Sequence, residues 1–228
     1  VDNIDVVRTQ DSPFILYLEG EDDERILSAW SNTLGKSEIY QKFYPYVLGG
    51  STKKEMKDKA DNHFAALKQI VPELKRAILL DYDNEEVALN PQSDQQTLNE
   101  WKRKNIDNYL MIPTAWTRAV ENEVKTIGEV DGLFLEPYNQ IINNLFASQN
   151  LTLPPGASWK NVKAQIFSVL DGKKLLFENN DSLFNQIKQL NNSDVKINRS
   201  TIAKAMTTEE IHEDVEFFFH NLEIIASL

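Results

Sequence analysis

The chain has 228 residues, a formal net charge of −11, 41% hydrophobic residues and no cysteine. The length suits one large domain or two small ones. Without thiols there are no disulfides and no thiolate metal sites, and the acidic balance excludes a general nucleic-acid glue, which would be basic overall. No apolar stretch is long enough to span a bilayer and no signal peptide opens the chain, so a cytoplasmic protein is expected. Val1 in place of Met points to a piece of something longer.

Phe14–Leu18, FILYL, predicts a strand: compact, apolar and bounded by turn residues. A burst of acids follows, Glu19, Glu21, Asp22, Asp23 and Glu24, and leads into a helical pattern carried by Ile26, Leu27, Trp30 and Leu34. Asp22 or Asp23 can cap that helix. FYPYVLGG reads as a second strand ending in Gly49–Gly50, and STKKEMKDKADNHFAALKQI as a helix with Met56, Ala60, Phe64, Leu67 and Ile70 on one face. RAILLDYDNEE supplies a third apolar run ending in acids, and NIDNYLMIP a fourth strand stopped by Pro113. Strands alternating with helices predict an α/β fold with a parallel sheet covered on both faces.

Beyond Pro113 the patterns are helical, with Asn-rich breaks and the turn LPPGAS. The last pattern, TTEEIHEDVEFFFHNLEIIASL, has a capping-box start at Thr207 and Glu210. Its stripe of Ile211, Val215, Phe218, Leu222 and Ile225 reads as core in preference to an oligomerisation seam. The expected division is an α/β domain over residues 1–113 and a helical domain over 114–228, without an internal repeat.

In open parallel sheets ligands bind beyond the carboxyl ends of the strands, and both acidic bursts fall there. If their strands are neighbours, Glu19, Asp81 and Asp83 converge on one edge; Asp81 and Asp83, two apart, point to the same side of an extended segment. Crowded like charges are costly unless water or a cation separates them. Hard oxygen donors suit Mg²⁺ or Mn²⁺. Asp22 and Glu24 read instead as acids complementing a helix N-terminus.

These segments carry a family resemblance. YLEGEDDERIL, VLGGSTKKEM and AILLDYDNEE together resemble a Toprim domain, the metal-binding fold of topoisomerases, primases and some nucleases. Its first motif, a glutamate and glycine after strand one, is matched by Glu19–Gly20, and its Asp-x-Asp after strand three by Asp81-Tyr82-Asp83. KRKNIDNYLMIP is similar to a segment of nucleases of the overcoming-lysogenization-defect (OLD) type, written around Ile-Glu-Asn-Tyr, with Asp107 in place of the glutamate. The resemblance implies a Toprim-like sheet with a C-terminal helical domain and two-metal hydrolysis of DNA phosphodiester bonds. It implies that Glu19, Asp23, Asp81 and Asp83 hold two Mg²⁺ or Mn²⁺ ions, with Glu85 or Glu86 completing the second site. It further implies a transition-state lysine, Lys173 in LDGKKLL with Lys174 as rival, and an ATPase domain in the same or a partner chain. DNA is the implied substrate, phage defence the implied setting and a second copy of the chain a further candidate partner; no membrane partner is expected.

Lys53, Lys54 and Lys57, with the run Trp101, Lys102, Arg103 and Lys104, are candidate phosphate contacts, or else ordinary solvated faces. His63, His212 and His220 read as structural or surface residues, and LGKSE lacks the upstream glycine of a phosphate-binding loop. Two other readings stay open: a receiver-like phosphoacceptor module, and a Toprim fold kept only as an interaction platform. Metal-dependent cleavage separates the nuclease from both.

Overall fold

A computed structural model describes residues 2–50, 52–82, 96–127, 135–190 and 196–227. In chain order its elements begin with α1 (Asn3–Asp11), β1 (Phe14–Leu18), α2 (Glu21–Thr33), α3 (Ser37–Gln41), β2 (Tyr44–Val47), α4 (Lys53–Lys68), β3 (Lys75–Leu80) and β4 (Gln96–Glu100). They continue with α5 (Pro113–Ile127), α6 (Glu136–Ser148), α7 (Ile166–Val169), α8 (Leu183–Leu190), α9 (Arg199–Ala205) and α10 (Glu213–Ser227). The chain folds as two compact units, Val1–Trp101 with Asp214–Leu228, and Lys102–Glu213. No helix among the described residues is long and apolar enough to cross a membrane.

The first unit is built on a four-stranded parallel sheet of order β2-β1-β3-β4. Tyr17 of β1 lies opposite Tyr46 of β2 and Ile78 of β3, and Leu80 of β3 opposite Glu100 of β4. Pro45 is tolerated because β2 is an edge strand. Ile15, Tyr17, Ile78 and Leu80 share one sheet face with Met56, Ala60 and Leu67 of α4 in a single apolar cluster. The period of two puts Leu16, Leu18, Ala77 and Leu79 on the opposite face, where all are also buried. Burial on both faces explains why β1 and β3 read as unbroken apolar runs.

The domain division expected at Pro113 differs from these units, and α10 supplies the reason. Its apolar stripe, with Val215, Phe218, Leu222 and Ile225 buried, belongs to the sheet-bearing unit. The Phe218 ring lies 5.9 Å from Trp101 and Phe219 6.1 Å from Tyr40. Asn221 donates to Asn99 at 2.8 Å, and Lys36 pairs with Glu223 at 2.7 Å. The helix also starts later than its pattern suggests: Glu210 does reach back to the Thr207 N–H at 2.9 Å, but Arg118 and Thr114 also hold its carboxylate, and residues 207–211 form turns.

The fourth strand is Gln96–Glu100, and the segment expected there, NIDNYLMIP, instead carries a 3-10 turn over Ile106–Leu110. Side-chain hydrogen bonding decides this conformation. Asn108 is fully buried; its Nδ2 donates to the carbonyls of Phe167 and Leu170 at 2.8 and 2.7 Å, and its Oδ1 accepts from the Gly172 N–H at 3.1 Å. The turn is thereby stitched to residues 167–172 of the second unit.

Candidate functional site

Sheet order locates the edge where a ligand would sit. From β1 the chain passes to β2 on one side, then crosses back to β3 and on to β4. The direction of winding therefore reverses between β1 and β3, and a crevice opens at the carboxyl ends of strands at such a switch point. Glu19 follows β1 and Asp81 follows β3. They meet: Glu19 Oε1 accepts from the Asp81 N–H at 2.6 Å. Both residues are partly exposed.

The rest of the first acidic burst organises α2. Gly20 is its N-cap in extended conformation, and Asp23 Oδ2 accepts from the Gly20 N–H at 3.0 Å. Glu21, Asp22, Asp23 and Glu24 all lie in the first turn, where the helix dipole favours negative charge. Arg25 pairs with Glu21 at 2.9 Å and with Asp22 at 3.4 Å. Asp23 therefore has one oxygen committed to the cap, while Glu19 is aimed at the second motif. Asp83, Glu85 and Glu86 lie outside the described residues. Among the described residues no group of three acidic, histidine or cysteine side chains stands as a metal cluster. The Glu19 carboxylate meets the backbone of Asp81 and not its side chain; carboxylates such as these two fit a hard divalent cation in kind.

The turn after β2 closes the edge. Gly49 takes φ +53, a left-handed conformation that favours glycine. Its N–H donates to the Glu19 carbonyl at 3.2 Å, so the glycine turn leans on the first motif. Thr52 then caps α4 by accepting from the Glu55 N–H at 3.2 Å.

Of the basic clusters, Lys54 and Lys102 are exposed, but Lys53 is only 1% exposed, and Trp101 and Arg103 are buried. Arg103 donates to the carbonyls of Asn108 and Val162 at 3.0 and 3.3 Å and lies 4.7 Å over the Tyr109 ring, so it is a structural cation and not a phosphate contact. Lys57 is engaged by Asp61 at 2.7 Å and Lys104 by Asp171 at 2.9 Å. Lys53 donates to the Tyr82 carbonyl and to the Glu100 carboxylate, and lies 5.2 Å over the Tyr82 ring. Sequence reasoning missed this placement, although the signal was there. Residue 53 falls three before Met56 on the line through Ala60 and Leu67 that faces the core.

In the second unit, Lys173 and Lys174 follow Gly172 and are half exposed, 3.7 Å from Glu178 and Asp171 respectively. Burial works against the charge of Asp171, but Lys104 and the N–H of Lys174 outweigh it and hold its carboxyl below the usual range. Asp107 is buried and accepts from Arg199 Nε at 2.7 Å.

The histidines are structural or surface groups. His63 lies between Tyr17 and Asp5, with Nδ1 3.0 Å from the Tyr17 hydroxyl and Nε2 3.1 Å from Asp5 Oδ2. His212 Nε2 lies 3.2 Å from the Val162 carbonyl. His220 is on the exposed side of α10, 3.4 Å from Glu223.

A parallel sheet of this order, flanked by helices, makes this an α/β fold consistent with the Toprim-like one expected from the sequence. The chain is similar in structure to the C-terminal region of the Xanthomonas campestris pv. campestris OLD protein, with 11% sequence identity and a TM-score of 0.45, over 96% of this chain and 97% of that one. No protein-family model and no curated relative matches the chain.

Proposed function

We propose that this chain is the catalytic region of an OLD-type nuclease, which cleaves DNA phosphodiester bonds with the help of Mg²⁺ or Mn²⁺. One observation carries the reading: the acids of the two Toprim-like motifs, 62 residues apart in sequence, meet through the Glu19–Asp81 hydrogen bond at the switch point of the sheet. When bound, the cation would supply Lewis-acid charge stabilisation and a more acidic water. Glu19 and Asp81 would hold it, and Asp83 of the same motif is the third proposed ligand. The Asp81 N–H fixes the orientation of the Glu19 carboxylate, and the Gly49 N–H fixes the backbone behind it. Lys54 and Lys102, both exposed, are the proposed phosphate contacts, which position DNA without reading its sequence. Lys173 is the proposed source of positive charge for the transition state.

The test is nicking of supercoiled plasmid with Mn²⁺ or Mg²⁺ at low ionic strength, because affinity for an acidic chain falls steeply with salt. Wild type should nick, chelator should abolish nicking, and Glu19→Ala and Asp81→Ala should lose it. Lys173→Ala should slow it roughly 100-fold while leaving Mn²⁺ affinity unchanged. Equal nicking by wild type and both acid variants would refute the reading.

A further inference from the structure

The structure assigns to Lys53 the part of a tethered cation: its ammonium fills an oxygen-lined cation site formed by the Tyr82 carbonyl and the Glu100 carboxylate. Lys53 opens α4, directly after the Thr52 cap, and its side chain runs inward to 1% exposure. A buried ammonium is tolerated only where oxygen acceptors replace its water. The acceptors here come from the segment after β3 and from the last residue of β4, so one side chain joins the carboxyl ends of neighbouring strands. A carbonyl and a carboxylate converging on one positive centre are also the donors that hard metal ions take. The aromatic ring of Tyr82, 5.2 Å from the same nitrogen, adds a further electrostatic attraction.

The consequence is a division of labour at the acidic edge. Tyr82 directly follows Asp81, so holding its carbonyl fixes the backbone that donates to Glu19. A permanent internal cation keeps Glu100 neutralised whether or not any ion is present. It reserves the Glu19–Asp81 side of the edge for an exchangeable one. Removing the tether should therefore leave a vacancy that a small cation from solution can fill. This is independent of cleavage, since it concerns what the folded chain binds and not what it hydrolyses.

The experiment compares the melting temperatures of wild type, Lys53→Ala, Lys53→Met and the double variant Lys53→Ala with Glu100→Gln. Each is melted in chelator, and then with Mg²⁺ or with ethylammonium in place of chelator. In chelator Lys53→Ala should melt about 5 °C below wild type. Ethylammonium, the missing side-chain head, should raise it while leaving wild type unmoved, and Mg²⁺ should raise it by more than it raises wild type. Manganese titration should show one more bound ion per chain in Lys53→Ala than in wild type. Lys53→Met, whose apolar stem fills the channel, should lose stability and gain no cation response. The double variant, with its carboxylate neutralised, should lose the extra response as well. A Lys53→Ala protein whose cation responses match those of wild type overturns the assignment, and so does one that fails to fold even with cation present.

Discussion

Asn108 offers the sharpest test of how the second unit is held together. Asn108→Ala removes three hydrogen bonds, to the carbonyls of Phe167 and Leu170 and from the N–H of Gly172. A buried hydrogen bond between neutral groups is worth about 1 kcal/mol net, and a partner stranded without solvent costs ~1–3 kcal/mol. Phe167 and Gly172 are buried, so water cannot replace the lost partner at either without the segment opening. The sum is about 3–5 kcal/mol, which corresponds to a fall in melting temperature on the order of 10 °C. Asn108→Asp should be at least as damaging, because a carboxylate would face two carbonyl oxygens in place of the amide donor. Urea unfolding followed by the fluorescence of Trp116 and Trp159, both in this unit, reads the change. A loss below about 1 kcal/mol with unchanged denaturant sensitivity would show that the stitch does not stabilise this unit. Because Lys173 follows Gly172, a loosened segment should also slow the proposed nicking reaction, even at temperatures where the variant stays folded.

Two further outcomes follow from close contacts and charge. A methyl group on Gly172 would meet the Asn108 backbone nitrogen at 2.7 Å and the Asp107 carbonyl carbon at 2.9 Å, so Gly172→Ala should destabilise by about 2 kcal/mol in urea titration. Gly20, around which nothing lies within 4 Å, is the control, and Gly20→Ala should cost less than about 1 kcal/mol. Burial alone would raise the Asp5 carboxyl, but the Asp2 N–H, His63 and the Tyr44 hydroxyl together hold it below its ordinary value. A depressed folded value stabilises above the unfolded pKa and is lost as pH falls through the folded one, so the gap between wild type and Asp5→Asn should shrink below about pH 4. A gap of equal size at about pH 3 and about pH 7 would show that the charge of Asp5 contributes nothing.

The elements legible in the sequence are those whose pattern records burial. The runs of β1 and β3, the Ile26–Leu27–Trp30 face of α2 and the stripe of α10 all pack as their spacing requires. β4 was not legible because QTLNE has one apolar residue, Leu98, and little strand propensity; pairing with β3, where Leu98 stands opposite Ile78, makes it a strand. NIDNYLMIP misled for the opposite reason. Its apolar residues Ile106, Tyr109, Leu110, Met111 and Ile112 are indeed buried, but burial by itself does not distinguish a strand from a turn tied down by an amide. At the candidate site, strand-end position brought Glu19 and Asp81 together only on the condition that their strands are neighbours, and the pairing of β1 with β3 meets that condition. Each basic run is divided, with Lys54 and Lys102 exposed but Lys53 and Arg103 buried, because composition reports charge without direction. Arg103, between the rings of Tyr109 and Phe167, is an interior cation that only the tertiary fold reveals.

The acids of this chain divide by what holds them. Asp107 stands where the OLD-like segment has a glutamate, yet it is 3% exposed and tied to Arg199, which itself lies 4.4 Å over the Phe177 ring. Removing one partner of a buried pair costs roughly 3–5 kcal/mol, so surrendering this carboxylate to a metal ion would have to overcome a deficit of that size. Glutamate at the same position would add a methylene to a filled space and would not recover the family's pattern by itself. Glu19 and Asp81 differ in kind. Their carboxylates stand at a sheet edge, partly open to solvent, and the Glu19 oxygen in contact with Asp81 meets a backbone N–H, which supports its charge without neutralising it. In an acidic chain, then, the carboxylates to suspect of binding ions are those held by backbone dipoles at a strand end. Those held by an arginine are already spent on the fold.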